Sequence, residues 1–214
     1  MKPPDLRVRT HTSLLLVRHA EVEEKYQRVF GGTIDMNLSP RGHEQAVALA
    51  NWLKRQPLDA IYASPMKRVQ QTLAPLAGNG SPEPVIVPDL HEVDFGDWTG
   101  LGWEAVQEKF GVSAFQWLDL LESGAIPNAE NVTRYRARIE PCLQKVLAES
   151  RYKNAAVFCH GGVIRMLLAI LLDLPLAKFA SFEIDYASVT RVELHPHKNE
   201  VKFLNFTPWQ EAGL

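Results

Sequence analysis

The sequence predicts an α/β protein, a three-layer sandwich in which helices cover both faces of a mostly parallel central sheet, and three observations support this. Short continuous apolar runs, typical of buried parallel strands, alternate with helical periodicities through the first ninety residues. Polar and basic residues directly follow three of these runs. The chain has 214 residues, of which 46% are hydrophobic, so we expect one domain with a sizeable core over residues 1–214.

The first half of the chain contains three predicted strands and two predicted helices. Apolar runs predict strands over residues 13–17, 59–63 and 84–88. A helix is predicted over 40–55, because Ser39 is a suitable cap for its free N–H groups and Pro40 suits its first turn. Ser64 occupies the same place before a second helix, which we expect to extend to about Ala77.

The second half of the chain predicts a helical insertion followed by a return to the sheet. Residues from about 103 to 150 have helical patterns, so we expect them to lie beside the sheet. The run 155–159 is typical of a buried strand, and a helix is predicted immediately after it. Alternation of apolar and polar residues over 182–206 predicts two antiparallel strands around a turn at 195–199.

Composition and charge argue against several classes of protein. The net charge is −2 and the pI is near 6.4, which favours neither nucleic acid nor an anionic membrane surface as a partner. The two cysteines, Cys142 and Cys159, are expected to be buried, reduced thiols. We expect no signal peptide, and no apolar run approaches the ~20 residues of a membrane span, so a cytoplasmic protein is predicted.

Three of the predicted strands end in the same way. Arg18 and His19 follow the first strand, and Arg68 lies in the helix after the second. His160 and two glycines follow the strand 155–159. Because ligands of open α/β sheets bind at the carboxyl ends of the strands, where helix starts add partial positive charge, these residues predict one anion site. Guanidinium groups grip two phosphate oxygens at once, so a phosphoryl group is the best-matched ligand.

The two histidines add a chemistry that arginine lacks. A neutral imidazole nitrogen is a nucleophile near neutral pH, so one histidine can attack phosphorus while the other donates to the phosphoryl oxygens. The sequence contains no HxxxH or CxxC spacing, and the histidines lack several carboxylates at ligand spacing. We therefore expect neither a metal ion nor any other cofactor.

At these positions the sequence resembles the histidine phosphatase superfamily, also called the phosphoglycerate mutase-like superfamily. The segment LVRHAE resembles its RHG signature. Four further segments resemble its other motifs in the family order: GGTIDMNLSPRGHEQA, ASPMKRVQQT, LHEVDFGDWTG and FCHGGVIR. Together they span residues 14 to about 172. The resemblance is to the short phosphatase branch, similar to alpha-ribazole phosphatase, and it implies an enzyme that hydrolyses phosphoric monoesters.

The resemblance also implies a role for each matching residue. His19 would be the nucleophile that becomes phosphohistidine. Arg18, Arg68 and His160 would hold the phosphoryl oxygens, where positive charge stabilises the charge that develops during transfer. Glu92 would donate a proton to the leaving group and then activate the attacking water. Asp94 and Asp97 are alternative acids in the same loop.

Several neighbouring residues depart from the family pattern or remain candidates for substrate contact only. The usual glycine after the histidine is Ala20, which is tolerated if its φ is negative. Lys25 stands where the mutases carry a phosphate-binding asparagine, and Gly32 and Trp98 lie near the expected site. Trp103 and Trp117 are expected in the core. Three arginines are expected on a solvated helix face, from which one could reach a second anionic group of the substrate (Arg134, Arg136, Arg138).

Three functions from different classes are compatible with this constellation. The first is a metal-independent phosphomonoesterase acting on a small phosphorylated metabolite. The second is a 2,3-bisphosphoglycerate-dependent mutase, which shares the catalytic residues but carries a longer insertion than the 68 residues from Glu92 to His160. The third is a catalytically inactive phospho-ligand binding module. The short branch includes alpha-ribazole, sugar-phosphate and broad-specificity phosphatases, and the sequence chooses neither among them nor between a monomer and a homodimer.

Overall fold

The computed structural model describes residues 10–78 and 80–214. Residues 1–9, where we expected no signal peptide, and Asn79 lie outside the described residues. The strands are β1 (Thr12–Arg18), β2 (Ala60–Ala63), β3 (Pro84–Ile86), β4 (Asn154–Cys159), β5 (Val189–Leu194) and β6 (Asn199–Phe206). The helices are α1 (Pro40–Leu53), α2 (Lys67–Leu73), α3 (Trp103–Phe110), α4 (Trp117–Glu122), α5 (Val132–Glu149), α6 (Gly161–Leu172) and α7 (Pro208–Glu211).

The strands form one sheet in the order β3-β2-β4-β1-β5-β6. Strands β1 to β4 pair in parallel, whereas β5 is antiparallel to β1 and β6 is antiparallel to β5. The prediction of a mostly parallel sheet is therefore confirmed. In the register, Arg18 lies opposite Cys159 and Ala63 lies opposite Phe158. The three segments that follow β1, β2 and β4 and carry the candidate site thus leave the same edge of the sheet side by side.

Two hydrophobic cores lie on opposite faces of the sheet, and successive residues of β1 alternate between them. Leu14 and Leu16 pack with α3, α4, α5 and α6, whereas Leu15 and Val17 pack with α1, α2 and α7. All four side chains are buried, and burial of each contributes about 1.5–3 kcal/mol to the stability of the fold. Both faces of β1 are covered, as its uninterrupted apolar run predicts.

The two predicted caps behave differently. The Ser39 hydroxyl accepts a hydrogen bond from the Gly42 N–H at 2.9 Å, and Pro40 occupies the first turn, so this helix start is confirmed. The prediction for Ser64 is wrong, because α2 starts only after Met66, whose backbone is extended. Two residues now separate Ser64 from the helix, and its hydroxyl lies 2.9 Å from the Nε2 atom of His160 instead.

The remaining predicted elements are present with small shifts of their ends. Helices α3, α4 and α5 occupy the segment predicted to be helical, and they complete the core on the α6 face of the sheet. Strands β5 and β6 form the predicted hairpin, closed by a hydrogen bond from the His195 N–H to the Lys198 carbonyl at 2.9 Å. None of the described helices combines the length and the apolar character needed to cross a bilayer.

Gly42 controls how closely α1 docks against the chain that leaves β1. A Cβ atom at this position would overlap the carbonyl group of Glu21. We expect Gly42→Ala to lower the free energy of unfolding by about 1–3 kcal/mol, the usual cost of overpacking, in urea denaturation. Gly102→Ala is the control, because its Cβ would meet its nearest neighbour at 3.9 Å, and it should cost less than about 1 kcal/mol. Equal stabilities of the two variants would contradict this account of the docking.

Candidate functional site

The candidate site forms where β1, β2 and β4 end. The His19 N–H donates to the Cys159 carbonyl at 3.0 Å, and the Ser64 N–H donates to the Phe158 carbonyl at 2.9 Å. These bonds extend the parallel ladder by one residue beyond each strand. The His19 and His160 rings consequently lie together, with their centroids 5.3 Å apart. The structure thus brings together the two histidines, as the sequence predicts.

His19 is held as a neutral imidazole with one free nitrogen. Its Nδ1 atom lies 2.8 Å from the carbonyl oxygen of Ala20, so Nδ1 must carry the proton and donate it. The Nε2 atom is left with its lone pair. Burial lowers the pKa of His19 well below its ordinary value, and the positive charges of Arg68 and Arg18 lower the pKa further. Ala20 has a negative φ and is fully buried, so this departure from the family glycine is accommodated.

His160 is fixed through both of its ring nitrogens. The Arg68 Nε–H donates to Nδ1 at 3.2 Å, so the proton of the neutral ring sits on Nε2 and points to the Ser64 hydroxyl. Burial lowers the pKa of His160 well below its ordinary value, and the neighbouring Arg68 adds to this effect. Ser64 therefore orients a site histidine, a role that its local sequence pattern did not indicate.

Arg68 is almost fully buried and connects the site to the loop before α1. Its Nη1 donates to the Ile34 carbonyl at 2.7 Å and its Nη2 to the Gly32 carbonyl at 3.2 Å. Burial lowers the pKa of Arg68 to about 10, so the side chain still carries its charge at neutral pH. Gly32, with φ of +47°, gives the loop the conformation that presents its carbonyl to Arg68.

Arg18 retains a donor with no protein partner. Its Nη1 donates to the Ile184 carbonyl at 2.5 Å, and its guanidinium lies 4.1 Å from the centre of the Tyr186 ring. Its Nε atom is buried and forms no hydrogen bond with the described residues. A buried donor without an acceptor costs free energy, so this N–H is available for an oxygen of a bound anion. Gly161, at the start of α6, lies directly beside it.

Glu92 reaches the site from the loop after β3. Its Oε2 accepts from the Gly162 N–H at 3.2 Å, and its Oε1 accepts from the Val93 N–H at 3.0 Å. A Cβ atom at position 162 would lie 2.5 Å from Oε1, so only glycine leaves room for the carboxylate here. The carboxylate is thereby fixed at the start of α6, close to the arginines.

Arg138 holds the loop that carries Glu92. It was expected on a solvated face, but it pairs with Glu130 at 2.7 Å and donates to the carbonyls of Asp89 and His91. The hydrogen bonds of the Arg138 guanidinium therefore connect α5 to the loop on the amino-terminal side of Glu92. Helical periodicity could not identify this role, because the Asp89 and His91 carbonyls are 49 and 47 residues away in sequence.

A cleft of about 310 Å³ opens from these residues and is lined by aromatic side chains. Trp103 and Trp117, which were expected in the core, are partly buried against it and also line the cleft. Trp98, a candidate for substrate contact, is only 1% exposed and packs behind Phe30 at a ring distance of 5.1 Å, so this expectation is wrong. Lys25 does not line the cleft; its side chain is 65% exposed and lies 3.9 Å from Glu23.

Two other features of the described residues lie away from this site. A larger groove of about 760 Å³ runs along α1 and α7 and shares no lining residue with the cleft. Glu193, His195 and Glu200 have a spacing that suits a metal ion, but they belong to the β5–β6 hairpin at the opposite end of β1, and Lys198 and Lys202 pair with the carboxylates. Neither feature contributes side chains to the cleft.

The geometry of the cleft defines a class of protein. A histidine with a free ring nitrogen, two buried or half-buried guanidinium groups and a carboxylate line one space at the carboxyl edge of a parallel sheet. The second histidine, His160, was expected to hold phosphoryl oxygens, but it packs behind these residues with both ring nitrogens engaged by Ser64 and Arg68. This arrangement suits an enzyme that acts on phosphoric monoesters.

The comparison with known proteins gives the family. The chain belongs to the histidine phosphatase superfamily (branch 1), whose sequence profile matches residues 14–207, and it is a phosphoric monoester hydrolase. Phosphoserine phosphatase 1 of Hydrogenobacter thermophilus is 32% identical over 91% of this chain and 92% of its own. The adenosylcobalamin/alpha-ribazole phosphatase of Salmonella typhimurium is 26% identical over 90% and 95%.

Solved structures confirm the fold. The alpha-ribazole phosphatase from Shigella flexneri matches with a TM-score of 0.77 and 23% identity, over 90% of this chain and 96% of its own. A mycobacterial glucosyl-3-phosphoglycerate phosphatase matches with a TM-score of 0.80 and 23% identity, over 92% and 99%. The likeness extends over nearly the whole of both structures and shows the shared fold.

The lowered pKa values of His19 and His160 predict how stability depends on pH. Below about pH 6.5 the unfolded chain binds protons at these histidines and the folded protein does not, so stability is lost as the pH falls. The expected loss is about 1 to 1.5 kcal/mol per histidine between pH 7.5 and 5.5, measured by urea unfolding. His19→Asn and His160→Asn should each reduce this loss, whereas His43→Asn, at an exposed position, should not. Identical pH dependence in all variants would contradict the prediction.

Proposed function

We propose that this protein hydrolyses small phosphoric monoesters through a phosphohistidine on His19, without a metal ion. The observation that carries the proposal is the free Nε2 lone pair of His19, held by the bond from Nδ1 to the Ala20 carbonyl and facing a cleft with two guanidinium groups. The lowered pKa of His19 keeps this nitrogen neutral, and therefore nucleophilic, near neutral pH.

In the first step, the Nε2 atom of His19 attacks phosphorus and the bond from phosphorus to the ester oxygen breaks. Glu92, protonated at the start, gives its proton to the departing alkoxide, so an alcohol leaves. Arg18 and Arg68 stabilise the charge that develops on the phosphoryl oxygens, and His160 lies within the same cluster. The positive charge that a metal ion supplies in other phosphatases comes here from guanidinium groups and from the start of α6.

In the second step, water attacks the phosphohistidine and the bond between phosphorus and Nε2 breaks. Glu92, now a carboxylate, takes the proton of the water, so inorganic phosphate leaves and His19 returns to its neutral form. The cycle consumes one ester and one water and yields one alcohol and one phosphate. Glu92 is suited to both steps because it is fixed by the backbone N–H groups of Gly162 and Val93.

The short segment between Glu92 and His160 favours hydrolysis over mutase activity. Its helices α3, α4 and α5 pack into the core on one face of the sheet, and the cleft stays open to water beside Trp103 and Trp117. The relatives named for phosphoserine and alpha-ribazole support a small phosphorylated metabolite as the substrate. Arg18, His19, Arg68 and Glu92 all line one cleft, which also argues against a binding module without catalysis.

His19→Ala should abolish turnover, because no other ring nitrogen with a free lone pair faces the cleft among the described residues. The measurement is phosphate release from p-nitrophenyl phosphate in the presence of EDTA, together with trapping of a labelled phosphoenzyme. The wild-type adduct should be labile in acid and stable in base, and His19→Ala should form none.

His43→Ala is the matched control, since His43 is exposed on α1, and it should leave both measurements unchanged. A phosphoryl group trapped on another residue of the wild-type protein would show that His19 is not the nucleophile. Loss of wild-type activity in EDTA that Mg²⁺ or Zn²⁺ restores would reject metal independence.

Glu92→Gln should slow single-turnover phosphorylation by an alkyl phosphate about 10²-fold, because an alkoxide needs a proton in order to leave. The effect on p-nitrophenyl phosphate should be smaller, since p-nitrophenolate leaves well without one. Arg18→Lys should slow both substrates alike, because the phosphoryl group is common to them.

Asp97→Asn is the control for the loss of a carboxylate from the same loop. Asp97 is exposed, accepts a hydrogen bond from Asn128 at 2.9 Å and does not line the cleft, so this variant should retain full activity. Equal losses on both substrates for Glu92→Gln would show that Glu92 is not the acid of the first step.

A further inference from the structure

One wall of the cleft, away from the Arg18, His19 and Arg68 side chains that would bind the phosphoryl group, is a continuous row of aromatic rings. We call it the aromatic wall, and it consists of Phe30, Phe95 and Trp117. The Phe30 and Phe95 ring centroids lie 4.9 Å apart, and those of Phe95 and Trp117 lie 5.4 Å apart. Phe30 is backed by the buried ring of Trp98. The wall is therefore fixed by packing and presents a preformed apolar surface to the ester group of a substrate.

Arg165 is the cation of the cleft that lies closest to the aromatic wall, 5.9 Å from the centre of the Trp117 ring. Its three guanidinium nitrogens each donate to a backbone carbonyl, at 2.8 Å to Phe182, 3.1 Å to Gly161 and 3.3 Å to Phe179. Arg165 thus holds the segment after α6 against the start of that helix. These bonds occupy three of its five N–H groups and fix the guanidinium beside Trp117.

The acidic side chains of the cleft disfavour a second anionic group in the substrate. Arg18 and Arg68 lie beside His19, where the phosphoryl group is expected to bind. Among the described residues, no lysine lines the cleft, and Arg165 is the third arginine that does. Glu183 and Asp185 also line the cleft and are not part of the aromatic wall. A substrate carboxylate would lose water against aromatic rings or face these two carboxylates, and an unpaired anion pays a desolvation cost in either place.

From these features, and resting on the proposed phosphatase function, we infer that the preferred substrate is the phosphate ester of an uncharged alcohol that carries a planar ring. Such a ring would stack on the aromatic wall while the phosphoryl group sits between Arg18 and Arg68. The cleft volume of about 310 Å³ limits the alcohol to the size of a small metabolite. Esters of carboxylate-bearing alcohols are selected against.

Three esters of primary alcohols separate ring, bulk and charge: 2-phenylethyl phosphate, 2-cyclohexylethyl phosphate and 4-phosphooxybutanoate. Their leaving groups have similar basicity, so differences in kcat/KM report on the cleft and not on the departure of the alkoxide. We expect kcat/KM for the phenylethyl ester to exceed that for the carboxylate ester at least tenfold. The cyclohexyl ester should fall between them, because it is apolar but cannot stack.

Two variants assign the selection to the residues named above. Trp117→Ala should lower kcat/KM for the phenylethyl ester about tenfold and leave kcat/KM for the carboxylate ester nearly unchanged. The control is Trp52→Ala on α1, which removes a tryptophan outside the cleft and should alter kcat/KM for neither ester. Glu183→Lys should raise kcat/KM for the carboxylate ester roughly three- to tenfold, and Glu44→Lys, at an exposed position on α1, should not. Glu183 is exposed, so this variant keeps the test valid if Trp117→Ala does not fold.

The outcomes distinguish a failure of the specificity from a failure of the function. If wild-type protein releases phosphate from p-nitrophenyl phosphate but turns over the carboxylate ester as well as the phenylethyl ester, the inferred substrate class is wrong. An absence of phosphate release from p-nitrophenyl phosphate and from all three esters would overturn the proposed function, and the substrate class with it. If Glu183→Lys leaves the preference for the phenylethyl ester over the carboxylate ester unchanged, the acidic side chains of the cleft do not select against a substrate carboxylate.

Discussion

The buried charge of Arg68 is the constraint on which the site depends. The residue is 2% exposed, yet within the described residues its hydrogen bonds go to two loop carbonyls and to His160, and it forms no ion pair with a carboxylate. A buried charge without a counter-ion is costly, so the surrounding fold must stabilise it through these neutral acceptors. The same charge orients His160 and lowers the pKa of His19. Because no described carboxylate pairs with it, its positive potential in the cleft can attract a phosphoryl group.

The two histidines and the two arginines act as one electrostatic unit. The arginines attract the phosphoryl group, and by the same positive charge they disfavour protonation of His19. Attraction of the substrate and activation of the nucleophile are therefore not competing demands in this site. The hydrogen bonds of the His19 and His160 rings fix the tautomers, so the lone pair of His19 points into the cleft before any ligand arrives.

Much of this arrangement could be predicted from the sequence because it depends on local patterns. Continuous apolar runs predicted β1 and β4, and the residues directly after them predicted the positions of His19 and His160. The roles of Ser64, Trp98 and Trp117 could not be predicted in this way. A serine before a proline is typical of a helix cap, and only the contact with His160, 96 residues away, gives Ser64 its place. Trp98 and Trp117 lie in segments where no periodicity separates a core position from a cleft position.

The contact between Gly162 and Glu92 has a consequence for how this scaffold can diversify. The carboxylate of Glu92 occupies the space that any larger side chain at position 162 would need, and the N–H of Gly162 fixes it there. New specificities are therefore accessible through the walls of the cleft, at positions such as Trp103 and Trp117, and not through the helix start beneath it. Mutagenesis libraries for altered selectivity should hold the HGG segment constant and vary the helical segment that supplies the tryptophans.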